Sequence, residues 1–442
     1  MKRVAFPWGA LAQLHAAAQT QVVETCAVGF VHAAGGPADR PRYTVQDLLL
    51  APENAYQERS AVRASLTPEF MLETANRART MGAGVILLHT HPGERPLEGF
   101  SQADDAGEAA LVSYFKARIP DREHFAAVVT GTRVHLRELG GGIAASALAV
   151  GPTVRVYSGA EGFEADDRYD RQIRAFGVEG QAALSQLTVA VIGLGGTGSI
   201  VAQQLAHLGV GRFVLMDHDV VDATNLNRLL GVTPKDVGLP KVQVAERAIT
   251  TINPSAVCET RVGDITCSAL AAQLLEVDFI FGCTDSMASR AVLNQLAYQY
   301  LIPVIDMGVA IRVEADRLAS VTGRAQMLAP GLGCLVCADG IDGQQVRWEM
   351  MTPAQRRADP YFENASVPQP AVMPLNGMIT SAAVAMFLSA VTSYPGEARL
   401  LHYDGMRGST RPQLLSPRPH CIVCSAEGAL ARGDSWTLSV RT

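Results

Sequence analysis

The run Leu187-Thr188-Val189-Ala190-Val191-Ile192-Gly193-Leu194-Gly195-Gly196-Thr197-Gly198-Ser199 decides the architecture of this chain. Residues 187–192 are apolar and rich in β-branched side chains, which predicts a buried strand. Gly193, Gly195, Gly196 and Gly198 follow, and then a helical pattern over about 199–208. Glycines at a strand-to-helix junction permit positive φ and let the backbone come close to phosphate oxygens. The helix N-terminus adds partial positive charge at the same point. An α/β rhythm continues outward: strand 212–217, helix 241–252, strand 279–283, and a last strand at 400–404. Such alternation predicts a parallel sheet covered by helices. Residues 338–370 are polar, carry prolines and read as a long crossing loop or small insertion, while 375–391 read as a buried helix.

Asp217 ends the second strand, at the spacing where an acid binds ribose hydroxyls. The glycine turn and Asp217 alone fit a nicotinamide- or flavin-binding Rossmann domain. The residues that follow point elsewhere. Asp217-His218-Asp219 leads to Asn225-Leu226-Asn227-Arg228, then to Gly238-Leu239-Pro240-Lys241, then to Cys283-Thr284-Asp285. A dehydrogenase has no use for Asn, Arg, Lys and Asp round one nucleotide. Cleavage of ATP between its α and β phosphates does: Arg and Lys neutralise the polyphosphate and the leaving pyrophosphate, and Asp holds Mg²⁺.

At these residues the sequence resembles the ubiquitin-activating enzymes and their bacterial relatives in molybdopterin and thiamin biosynthesis, from about residue 168 to the C-terminus. The resemblance implies a Rossmann-like ATP-dependent adenylation domain with a mixed sheet over 167–442, its crossover loop at 338–372. The substrate it implies is the C-terminal Gly of a ubiquitin-like β-grasp protein, with a conjugating enzyme as a further partner. Arg168-Tyr169-Asp170-Arg171-Gln172 matches the family's entry motif. Arg171 would then be an arginine finger acting across a homodimer. Asp217 would bind the ribose, with Asp219 in the same nucleotide set. Asn225, Arg228 and Lys241 would contact the phosphates, and Asp285 would bind Mg²⁺.

Two C-x-x-C pairs, Cys334/Cys337 and Cys421/Cys424, hold four of the eight cysteines. That spacing reads as a metal site before it reads as disulfides. It also matches the family's structural zinc site, a closed four-thiolate shell. Many family members carry a catalytic cysteine in the crossover, and this chain has none there: Cys26, Cys258, Cys267 and Cys283 lie elsewhere. Either the adenylate passes directly to another protein, or a hydroxyl takes the acyl group as an oxyester. The candidate is Ser366, which otherwise reads as an ordinary loop residue.

The first 150 residues hold a different set. Residues 83–91 read as a strand ending in His89-Thr90-His91, and Ser101-Gln102-Ala103-Asp104 opens a helical pattern. Residues two apart on a strand share a face, so both histidines can grip one metal. Asp104 supplies a third ligand, and a fourth position stays open, as in catalytic zinc sites. Taken singly, H-x-H is a chance pair and Ser101-x-x-Asp104 a helix capping box. Together, with Glu24 upstream, they resemble the JAMM/MPN zinc deubiquitinases, an α/β metalloprotease fold. There Glu24 would be the general base, in preference to Glu53 and Glu69, and Ser101 would stabilise the oxyanion. The resulting division is an isopeptidase domain at 1–150, a linker at 151–166 and the adenylation domain.

The chain has 442 residues, 48% of them hydrophobic and 18% charged, which suffices for two to four cored domains. A net charge of −6 gives no footprint for nucleic acid. No uninterrupted apolar run reaches about 18 residues, so no membrane span is expected. The first 18 residues read as the start of a domain and not a signal peptide, which fits a cytoplasmic protein. The reading is a bifunctional enzyme of a bacterial ubiquitin-like pathway, for which the resemblance suggests antiphage defence. Rivals are activation of a sulfur carrier through a thiocarboxylate, a non-catalytic scaffold, and a nicotinamide oxidoreductase.

Overall fold

The computed structural model describes residues 2–93, 99–157, 163–164, 166–358 and 370–441, without the side chains of 353, 357 and 358. Ser366 lies outside the described residues. The chain forms two compact units: residues 1–159 with 299–301 and 429–437, and residues 160–298 with 302–428 and 438–442.

The first unit runs β1 (Lys2–Pro7), α1 (Ala12–Thr20), β2 (Cys26–Ala33), β3 (Arg42–Leu50), β4 (Tyr56–Arg59), β5 (Ala64–Leu66), α2 (Pro68–Met81), β6 (Gly84–Thr90), α3 (Gln102–Arg118), β7 (Phe125–Val129), β8 (Val134–Glu138), β9 (Ala144–Val150) and β10 (Val154–Tyr157). Its sheet order is β1-β3-β2-β6-β7-β8-β9-β10, and β1 also pairs with β9, closing the sheet on itself. The period of two in β6 sorts its side chains. Ile86 and Leu88 enter the core with Phe6, Leu14, Val45 and Phe125. Val85 lies on the other face, in the cluster that Met71 of α2 and Phe115 of α3 join. Full burial of each such large side chain contributes about 2 kcal/mol.

Capping residues fix the helix that carries Asp104. Ser101 is the N-cap of α3: its side chain accepts from Asp104 N, and the Asp104 side chain accepts from Ser101 N. Two expectations change here. The Gly/Ala-rich stretch after residue 140 forms strand β9, paired along its length with β1 from Lys2↔Ala145 to Pro7↔Val150. The stretch read as linker contains β10, which returns antiparallel on β9.

The second unit runs α4 (Asp170–Gln186), β11 (Thr188–Ile192), α5 (Gly198–His207), β12 (Arg212–Asp217), α6 (Lys241–Ile252), β13 (Val257–Val262), α7 (Ser268–Gln273), β14 (Phe279–Gly282), α8 (Met287–Gln299), β15 (Val304–Glu314), β16 (Arg317–Leu328), α9 (Gly343–Met350), α10 (Pro353–Ala358), α11 (Met373–Val391), β17 (Leu400–Asp404) and β18 (Ser409–Pro412). Its sheet order is β13-β12-β11-β14-β15-β16-β17-β18. Strands β13 to β15 are parallel and β15 to β18 antiparallel, so the sheet is mixed, as the resemblance implied. The expected crossing loop carries α9 and α10, and β18 follows the strand read as last. α11 is long and apolar enough to cross a membrane by length and composition, with mean hydropathy 1.5. Its Phe387 sits edge-on to Phe279 and Phe281 of β14, with ring centroids 4.9 and 5.5 Å away.

Candidate functional sites

In the first unit, His89 lies near the end of β6 and His91 just beyond it. His89 Nε2 and His91 Nε2 lie 3.2 Å apart. Asp104 reaches both, with Oδ1 3.0 Å from His89 Nε2 and Oδ2 3.7 Å from His91 Nε2. A tetrahedron of nitrogen and oxygen donors on ~2.0–2.1 Å zinc bonds has edges of about 3.3 Å. The spacing of the two histidine nitrogens therefore fits one zinc ion, and the Asp104 carboxylate, which faces each histidine with a different oxygen, can complete the set. Glu24, just before β2, joins them: ligand atoms of Glu24, His89 and His91 all lie within 4.8 Å of one another.

Backbone and side-chain bonds anchor Glu24. Its N–H donates to Ser60 O (2.8 Å), and Arg59 Nε donates to its carbonyl (2.9 Å). Burial pushes its carboxyl above the ordinary value, against the pull of His89 and His91. Burial would also raise Asp104, but hydrogen bonds from both histidines hold its carboxyl well below the usual range. Ser101 stands one turn away as the cap, its Oγ accepting from Asp104 N at 3.2 Å. The capping-box and ligand readings of Ser101-x-x-Asp104 thus coexist in one carboxylate.

In the second unit, β11 delivers the glycine turn. Gly193 has φ of +87°, and a Cβ there would stand 2.7 Å from Cys283 O. A Cβ on Gly198 would lie 1.8 Å from Gly193 O, so only glycine closes the loop. A Cβ at Gly195 would meet open space. Asp217, buried at the end of β12, accepts from Leu194 N (2.6 Å) and Asp219 N (2.8 Å). Lys241, the first residue of α6, pairs with Asp219 Oδ2 at 2.6 Å. Burial opposes ionisation of Asp219, but the Lys241 bond wins and lowers its carboxyl. Asn225 is buried and bonds to Asp222 N (3.4 Å). Arg228 Nη1 donates to Thr224 O and Asn227 Oδ1.

The loop after β14 abuts this turn, with Thr284 N 3.3 Å from the Cβ position of Gly193. Asp285, the next residue, is exposed. The glycine turn, Asp217, Asp219 and Lys241 are thus brought together, with the Asp285 loop against Gly193. Arg171 is exposed near the start of α4. A recess beside the turn is lined by Leu194, Ser199, Gln203, Leu229, Lys241 and Val244 among others.

Three features escaped sequence reasoning. Asn376 of α11 is buried against the turn, and a Cβ on Gly196 would meet its Nδ2 at 2.4 Å. Its signal was a polar residue in an apolar helix. Buried Asp306 of β15 takes both Arg290 and Arg324 beside Gly282. Glu349 of α9 accepts from Ser286 Oγ and Ala288 N, both at 2.7 Å, tying the crossing segment to the Asp285 loop.

The four thiols converge. Sγ separations are 3.7 Å for Cys334–Cys337, 3.5 Å for Cys334–Cys421 and 3.4 Å for Cys337–Cys424. A tetrahedron of sulfurs on ~2.3 Å zinc bonds has edges of about 3.8 Å, so a zinc ion fits among them. All four are buried. Of the remaining thiols, burial pushes Cys26 and Cys283 to about 12 and Cys258 to about 11. Such thiols hold almost no thiolate at neutral pH.

Residues 169–423 match the model of the ThiF family. The molybdopterin-synthase adenylyltransferase of Escherichia coli K12 is 32% identical over 263 residues, covering 58% of this chain and 95% of that protein. The sulfur carrier protein ThiS adenylyltransferase of the same organism is 29% identical over 59% of this chain and 96% of its own length. Ubiquitin-like modifier-activating enzyme 5 of Drosophila willistoni is 33% identical over 35% of this chain and 39% of that protein. Among solved structures, E. coli MccB with ATP superposes at a TM-score of 0.47 and 20% identity, over 59% of this chain and 75% of that one. With a family match over more than half its residues and a relative matched over nearly its whole length, this chain belongs to the ThiF family.

Proposed function

We propose that the second unit uses ATP to adenylate the C-terminal carboxylate of a small ubiquitin-like or sulfur-carrier protein. The observation that carries this is the gathering of the glycine turn, Asp217, Asp219 and Lys241 in a ThiF-family chain. The names of its relatives support it: they are adenylyltransferases of a molybdopterin synthase and a sulfur carrier, and an activating enzyme of a ubiquitin-like modifier.

The turn's N–H groups and the α5 N-terminus cradle phosphate oxygens. Asp217 accepts from ribose hydroxyls. Lys241 and Arg228, with Asn225, hold the polyphosphate and neutralise charge as pyrophosphate leaves. Mg²⁺ held by Asp285 would spread phosphate charge. Arg171 serves the nucleotide of the other subunit in a homodimer, and Ser366 is the candidate acyl acceptor. A reducing compartment, the cytoplasm, suits the free thiols.

The test is ATP–pyrophosphate exchange with a β-grasp protein encoded beside this chain. Exchange should need that protein's terminal Gly and fall about 10²–10³-fold in Lys241→Ala. Silence with every neighbouring β-grasp protein, or exchange at the wild-type rate in Lys241→Ala, overturns the reading. Formation of a thiocarboxylate would mark a sulfur carrier. Transfer to a protein lysine or hydroxyl would mark a modifier.

A second reading concerns the first unit, favoured by the convergence of His89, His91 and Asp104. It is a zinc peptidase that cleaves the same small protein from a precursor extension or from a conjugate. Zinc held by those three would polarise the scissile carbonyl and activate water. Glu24 carries the proton to the leaving amine. Ser101 Oγ accepts from the Asp104 N–H, which leaves its own hydrogen for the substrate oxygen. Cleavage of an extended β-grasp precursor should stop with chelator and with His89→Ala, and cleavage by His89→Ala at the wild-type rate would remove the reading.

A further inference from the structure

Helix α3 is anchored unevenly. Its C-terminal half joins the apolar cluster through Phe115, Leu111 and Val112. Its first two turns, which carry Asp104, contribute no buried apolar side chain: between residues 102 and 110 only Glu108 is buried. Apart from Phe100, which packs against the cluster just before the N-cap, the end of the helix that meets the histidines is therefore held by ionic contacts of its own residues.

Glu108 stands one turn after Asp104, on the same side of the helix. Its Oε1 accepts from Arg137 Nη2 at 2.8 Å, and its Oε2 accepts from Gly140 N at 2.7 Å and Gly141 N at 3.3 Å. The same Arg137 Nη2 donates to Asp105 Oδ1 at 2.7 Å. The guanidinium carbon lies 3.6 Å from the ring centroid of Phe100, the residue before the N-cap. Arg137 belongs to β8, and its neighbours in the clamp are all in the first turns of α3 or the chain just before it. One side chain of the sheet thus grips residues on both sides of Asp104.

We propose that Arg137 and Glu108 are positioning residues that set the reach of Asp104 to His89 and His91, and with it the zinc affinity of the first unit. The inference rests on the reading of those three as zinc ligands. Groups that orient a ligand from outside the coordination shell typically govern affinity by 10–100-fold. A purely structural pair would change melting without changing the metal's surroundings.

The experiment uses the full chain and Co²⁺ as a spectroscopic stand-in for zinc. Thiolate charge-transfer bands report the four-cysteine cluster, and the visible d–d bands that remain after subtracting the spectrum of His89→Ala report the His/Asp site. Arg137→Met and Glu108→Gln should each weaken metal at the His/Asp site by about 10–100-fold in chelator competition and shift its visible bands. The thiolate bands should stay unchanged, and Arg137→Lys should recover part of the affinity. Should Arg137→Met not fold, Glu108→Gln carries the comparison alone. Wild-type affinity and bands in these variants, with metal lost in His89→Ala, would overturn the proposal and leave the zinc reading intact. A wild-type chain that binds one equivalent, lost in Cys334→Ser, would remove both.

Discussion

Two of the clusters of metal-type donors among the described residues, the four cysteines and the His89/His91 group, differ in closure. In the second unit four buried sulfurs face one another, and among the described residues no other type of donor belongs to the set. In the first unit the His89, His91 and Asp104 side chains keep 19%, 8% and 14% of their exposure, and a fourth group, Glu24, stands beside them. A closed, soft, anionic shell holds zinc and offers it to nothing, whereas three mixed donors with solvent access leave a position for a reacting molecule. The contrast predicts a structural role for the second-unit cluster and a reactive one for the first, from donor chemistry and burial alone.

The largest expected effect lies in the closed cluster. Binding at structural four-ligand zinc sites is worth on the order of 10 kcal/mol. Cys334→Ser should therefore release one metal equivalent and lower the melting temperature of the second unit by at least ~10 °C, read by calorimetry with metal analysis. Unchanged melting after metal loss would break the contrast, because this cluster would then contribute no stability.

His89→Ala should behave in the opposite way. It should also release one equivalent, and it should reduce precursor cleavage by about 10³-fold or more, yet shift melting by only a few degrees, since removing a partly exposed side chain opens little cavity. A large melting loss here would make the first cluster structural as well.

Lys241→Ala tests whether the contrast reaches the nucleotide site. Metal donors must meet at one point, so the fold presents them converged. Polyphosphate contacts are spread along an extended ligand, and Lys241 and Arg228 are engaged by oxygens of the chain itself. Loss of one cation aimed at developing charge should lower pyrophosphate exchange about 10²–10³-fold. Metal content and precursor cleavage should remain at wild-type levels. A fall in either would tie Lys241 to something other than the nucleotide.

What was legible follows the same line. Both clusters, the glycine turn and Asp217 were visible because their geometry is local: C-x-x-C, H-x-H and a strand-end glycine each fix relative positions within a few residues. The parallel strands followed from the alternation of elements, and the mixed character of the sheet from the family resemblance. Strand β9 was not visible, since Ala144-Ala145-Ser146-Ala147-Leu148-Ala149-Val150 has weak β-propensity, and its state is set by pairing with β1 on one edge and β8 and β10 on the other. α9 was hidden by polarity, as none of its residues is buried. Glu349 on Ser286, Arg290 and Arg324 on Asp306, and Arg137 on Glu108 join residues distant in sequence, and no spacing rule announces them.

Ser101 carries the smallest expected effect and the finest distinction. Its Oγ caps α3, while Asp104, its partner in the capping box, also touches both histidines. Loss of a Ser cap costs about 1 kcal/mol, or about 2–4 °C for a unit of this size, so Ser101→Ala should melt slightly earlier. Ser101→Asp keeps a capping oxygen and has no hydroxyl hydrogen to give. If the hydroxyl serves the reaction, both variants lose cleavage while only Ser101→Ala loses melting temperature. If Ser101 is a cap alone, Ser101→Asp retains cleavage, and any loss in Ser101→Ala follows its weaker hold on Asp104 and shows first as lower metal affinity. The ratio of cleavage to bound metal in the two variants decides between these roles, because a cap changes how much zinc is held and a hydrogen-bond donor changes what the loaded site can do.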